Sequence, residues 1–150
     1  MKIRIVLSVA GVLSSAIALA GGDEMPTQKP GLWQITMTSA RSPGGSRTFK
    51  MCQDAASVAA GKASADAQLK NCSKNTLRRE ADTWIADNEC TLSGMHVVSH
   101  SEMTAHGDEA YHTQVQSTYG SGKAETTTID HRYLGACESG QKAGVPIMGN

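Results

Sequence analysis

The sequence predicts a mainly β fold: a single antiparallel, strongly curved sheet or small incomplete barrel, with one or two short helices, stapled by two disulfides. Three observations predict it. Apolar and polar residues alternate through most of the chain beyond residue 30, turn-forming residues cut that pattern into short segments, and four cysteines are spread through it. A two-sheet sandwich is the alternative, because alternation shows that a sheet has one buried face and not how the sheet folds over.

The chain opens with Lys2 and Arg4 ahead of an apolar run from Ile5 to Ala20 that closes on Ala18-Leu19-Ala20. This is the pattern of a secretory signal peptide over 1–20, cleaved after Ala20. The run is shorter than the roughly 20 residues a spanning helix needs, so the mature chain is expected to hold no transmembrane segment. No cysteine follows the cleavage point to accept a lipid, and the expected location is the periplasm. Residues 21–29 are small and polar and read as a flexible lead-in.

Pro30-Gly31 starts the first regular segment. Trp33, Ile35 and Met37 alternate with Gln34, Thr36 and Thr38, which predicts a half-buried strand, and Arg47 to Cys52 returns after a Ser42-Pro43-Gly44-Gly45-Ser46 turn. Asp54 to Lys70 is rich in alanine, with Asp54 placed as an N-cap and Gly61 as an interruption, so one or two short helices are expected over a sheet edge or barrel mouth.

From Cys72 onward, turn signals at Glu80-Ala81-Asp82, His106-Gly107-Asp108 and Gly120-Ser121-Gly122 divide an extended pattern into a meander. Pairing about Ala81 sets Leu77 opposite Ile85 and Cys72 opposite Cys90. Four cysteines allow three pairings, and this register selects Cys72–Cys90, leaving Cys52–Cys137. Pairing about Gly107 and Ser121 keeps Met95, Val97, Met103, Tyr111, Val115, Tyr119, Ile129 and Tyr133 on one face. Gln114, Gln116, Thr118, Thr126, Thr128 and Asp130 take the other, and Val98 and Leu134 break the rule. One domain is expected over 30–137, followed by a flexible tail over 138–150 with three glycines and a proline.

Lys29-Pro30-Gly31-Leu32-Trp33-Gln34-Ile35-Thr36-Met37-Thr38, Cys52-Gln53-Asp54-Ala55, Cys72, Cys90 and Gly135-Ala136-Cys137, behind a signal peptide, resemble the exported bacterial family known as domain of unknown function 3617. The resemblance covers about Lys29 to Cys137. It implies an envelope protein with a mainly β fold and cysteines in these relative positions, and no established activity, substrate or cofactor.

Without the signal peptide the chain has twelve basic and fourteen acidic residues, a balance that offers nothing to nucleic acid or anionic lipid. The registers above place His100, Glu102, His112 and Asp130 together on the polar face, with Glu102 opposite His112 and His112 opposite Asp130. Two imidazoles and two carboxylates suit a divalent metal, whereas the same residues as a solvated sheet face suit nothing in particular. His96 and His106 share that face farther along, while His131 falls on the apolar face as a hydrogen-bonded core or edge histidine. Met37, Met51, Met95 and Met103 have core parity, which favours packing over copper ligation. Trp33, Trp84, Tyr111, Tyr119 and Tyr133 are the candidates for lining an apolar pocket.

No nucleophile elbow, zinc-protease helix, phosphate loop or dinucleotide fingerprint is present, and no cofactor is expected. The expected function is a non-catalytic periplasmic module that binds a small molecule or an envelope protein. A divalent-metal binder and a hydrolase with a spatially assembled site are the alternatives.

Overall fold

A computed structural model describes residues 24–42 and 44–148; the signal segment and its cleavage point lie outside the described residues, as does Pro43 of the first turn. The described chain forms β1 (Gly31–Ser39), β2 (Ser46–Gln53), α1 (Ala55–Leu69), β3 (Cys72–Glu80), β4 (Thr83–Leu92), β5 (Met95–His106), β6 (Ala110–Tyr119), β7 (Glu125–Gly135) and β8 (Pro146–Met148). All strands join one open sheet in the order β3-β4-β5-β6-β7-β1-β2-β8, each pair antiparallel. This is the single-sheet form and not the sandwich. Both disulfides, Cys72–Cys90 and Cys52–Cys137, pair as the sequence predicts.

Between Cys72 and Cys137 the meander has five strands, because Ser93-Gly94 makes a further two-residue turn that the sequence reading passed over. Ser93 and Gly94 have φ of 50° and 79°, the pair of left-handed residues that a tight hairpin of matching twist requires.

Registers depart from expectation in two informative ways. The β3–β4 turn holds two residues, so Leu77 faces Ala86 and not Ile85, and an irregularity between Cys72 and Lys74 then restores Cys72 to a position opposite Cys90. At the β5–β6 turn, three residues lie between the paired His106 and Ala110, so Glu102 faces Gln114, His100 faces Gln116 and His112 faces Thr104. At β5–β6 the hairpin centre moves by one residue and each partner by two, which keeps the side chains on their predicted face, whereas at β3–β4 the partner moves by one and Ile85 lies on the face opposite Leu77. The β6–β7 register, with His112 opposite Asp130, is as predicted.

The inner face, the one carrying Trp33, holds most of the core. Trp33 is fully buried, its ring 5.6 Å from that of Tyr111 and 5.3 Å from that of Tyr133. Ile35, Val97, Trp84 and Cys90 are buried on the same face. Met37, Met51 and Met103 stand opposite Ile129, Trp33 and Trp84, while Met95 is half exposed. From residue 24 the lead-in contributes two acceptors to this face: the carbonyl of Glu24 takes the Trp84 indole N–H at 2.9 Å, and that of Lys29 takes the Trp33 indole N–H at 3.0 Å.

α1 is one helix, not two; Gly61 lies within it, and no residue of it is buried. Asp54 caps it in a reciprocal box with Ser57, whose N–H donates to the Asp54 carboxylate at 2.7 Å. Its main contact is with β3. Cys52 and Cys72 stand just before and just after this helix, so the disulfides hold both its ends where packing does not. The tail is not wholly irregular: Pro146–Met148 pairs with Phe49–Met51 as an edge strand, and the Gly144 N–H donates to the Cys52 carbonyl at 2.8 Å.

Candidate functional site

Where β5, β6 and β7 meet at the β5–β6 turn, the sheet carries an open cleft of about 650 Å³. His106, Ala110, His112, Asp130 and Arg132 of the outer face border it with Glu109 of the turn, and the strand positions Tyr111, His131 and Tyr133, whose side chains belong to the inner face, complete its edge. Ala110 makes room for it: its methyl group lies between His106 on one neighbouring strand and Arg132 on the other.

The charges around the cleft are mostly paired. The His112 Nδ1 meets the Asp130 carboxylate at 2.7 Å, and Lys29 donates to Glu109 at 2.8 Å while also lying 3.4 Å from Asp108. The Glu109 hydrogen bond, ahead of the Asp108 attraction, holds the Lys29 ammonium above its ordinary value. The same ammonium sits 4.0 Å above the Tyr133 ring, tying the lead-in to the cleft wall. His131 differs from the predicted hydrogen-bonded histidine: its Nδ1 is buried without a partner. Burial pushes its pKa down against the opposing pull of Asp130, so the ring is neutral at pH 7.

The five candidate aromatic side chains do not share one cavity. Tyr111 and Tyr133 border the cleft, Trp33 is sealed between them, Trp84 is buried on β4 under Arg79 at 4.5 Å, and Tyr119 is exposed beside Arg41 at 5.1 Å. The four candidate metal ligands also separate. His100 takes Asp87 at its Nδ1 (2.7 Å) and Glu102 at its Nε2 (3.2 Å), whereas His112 and Asp130 form their own pair. Among the described residues, no three His, Cys, Asp or Glu side chains are arranged to hold a metal ion. His96 pairs with Glu89 at 3.0 Å.

Sequence reasoning missed Arg132, Glu109 and Asp87. Asp87 has even-face partners on β5 although its own number is odd, because the β4–β5 hairpin switches parity, so it is found only once the Ser93-Gly94 turn is placed. Arg132 is within reach of the sequence: it lies on the polar parity of β7, two residues from Asp130.

The described residues define a small antiparallel β fold with a disulfide at each end of α1. A family model described as a protein of unknown function, DUF3617, matches residues 28–137, and the chain belongs to that family. No curated protein and no solved structure matches it.

Proposed function

We propose that the protein is exported to the periplasm, loses residues 1–20, and acts there as a non-catalytic module that binds a small molecule in the cleft at the β5–β6 turn. The observation that carries this reading is the cleft itself, a recess on the outer face in which Arg132, His106 and His112 surround the small side chain of Ala110. Binding sites of this size offer a recess with a few fixed polar groups, and the paired His112 and Asp130 with the Arg132 guanidinium supply them here. Export is supported by the basic-then-apolar start of the chain, and an oxidising location by two disulfides with no free cysteine among the described residues.

Binding is favoured over hydrolysis because no serine, threonine or cysteine borders the cleft among the described residues. Thr104, the hydroxyl directly opposite His112, does not border the cleft and is hydrogen-bonded to Thr83 at 2.9 Å instead. Solvent extraction of protein purified from periplasm tests the reading. A small molecule should be recovered from the wild type and lost from Ala110→Trp, which fills the cleft; recovery of nothing from either, or of the same compound from both, would overturn it.

A further inference from the structure

We infer that the cleft recognises an oxyanion on its ligand, a carboxylate or a phosphate, held between Arg132 and His106 above the methyl group of Ala110. The inference rests on the reading of the cleft as a ligand site and adds the chemical class of what enters it.

Ala110 is directly opposite His106 on β5 and directly opposite Arg132 on β7, so two nitrogen-bearing side chains flank the smallest side chain of the row. Neighbouring strands lie about 4.8 Å apart, which leaves roughly 10 Å between the two flanking backbones, a gap that a guanidinium, an imidazole and an oxyanion fill together. His112, two residues along β6, stands on the same face.

Charge decides the sign of the ligand. Both carboxylates bordering the cleft are already engaged, Asp130 by His112 at 2.7 Å and Glu109 by Lys29 at 2.8 Å. Among the described residues Arg132 has no carboxylate within ion-pair distance; the ion pairs there involve Lys29, Arg41, Lys62, Arg78, Arg79 and three histidines. A guanidinium with planar donors and no acceptor matches an oxyanion in two-point geometry, and a ligand cation would meet only spent carboxylates.

Nuclear magnetic resonance of the histidine rings in the mature chain, titrated separately with inorganic phosphate and with acetate, tests this directly. The His106 ring signals should move with half-saturation at about 1 mM or below for at least one anion, and Arg132→Gln should weaken that response at least about tenfold. His96 and His100 should stay still, which also reports that the Arg132→Gln sheet is intact. A response to phosphate alone identifies a phosphate ligand, and one to acetate alone a carboxylate. Silence of His106 toward both anions, or an unchanged response in Arg132→Gln, overturns the inference. If the titrations are silent while Ala110→Trp still expels a bound compound, the cleft stands as the ligand site and only its oxyanion preference falls.

Discussion

Gly31 lies so close to Tyr133 that a β-carbon at residue 31 would overlap the tyrosine ring and come within 2.8 Å of its hydroxyl and 2.5 Å of the Gly135 carbonyl. Its φ of 145° adds a backbone conformation that side chains resist. The glycine therefore admits the ring that covers Trp33, and the Tyr133 hydroxyl in turn donates toward the Pro30 carbonyl.

Gly31→Ala should destabilise the fold by more than about 1 kcal/mol, from strain and overlap together. Urea unfolding checks the magnitude. Combining it with Tyr133→Ala should cost less than the two changes summed, since the second removes the ring that the first strikes; full additivity would show that the two positions act independently.

The disulfides should rank by the chain they close. Cys52–Cys137 spans 85 residues and Cys72–Cys90 spans 18. By loop-closure entropy the first contributes about 4–5 kcal/mol and the second about 3 kcal/mol, both large for a sheet with so few buried side chains. Thermal melts of the paired alanine variants should show the larger loss for Cys52/Cys137, and an inverted order would mean that structure remaining in the unfolded chain sets the effect.

His100 and His131 should give opposite pH slopes. Hydrogen bonding to Asp87 and then to Glu102 raises His100 above 6.5, while burial lowers His131 below it, opposed by Asp130. Asp87, held below its ordinary value chiefly by His100, also faces Arg78 and Lys74. The His100 contribution is present in full below the unfolded value of 6.5 and is lost as pH rises through the folded value. For His131 the fold is undisturbed above 6.5 and loses stability as pH falls through that value toward the folded one. Denaturation at about pH 5 and pH 8 should show His100→Gln losing stability mainly at the lower pH and His131→Leu gaining there. Parallel pH curves for both variants and wild type would contradict this.

The faces of β5, β6 and β7 were legible in the sequence, because side-chain alternation survives an error of one residue in a hairpin centre, and so were both disulfides. Ile85, expected beside Leu77, lies on the other face because the β3–β4 turn holds two residues. Neighbours do not survive such an error. Glu102 was expected beside His112 and instead shares His100 with Asp87, since the β5–β6 turn holds three residues centred on Asp108 and not one centred on Gly107. Cys72 met Cys90 through two compensating departures, a two-residue turn at Ala81-Asp82 and an irregularity after Cys72, neither marked by residue type. Ser93-Gly94 was marked, and placing it would have revealed Asp87 as the partner of His100. The cleft was illegible for a different reason: its room comes from Ala110 standing between two larger neighbours, a fact of register and not of any motif.

Native mass spectrometry of the protein purified from periplasm decides whether the cleft holds a ligand. The account predicts a chain beginning at Gly21, lighter by four hydrogens for its two disulfides, carrying an added organic mass that Ala110→Trp removes. A chain of the same length and oxidation state with no added mass in either form would contradict the assignment of the cleft as a small-molecule site.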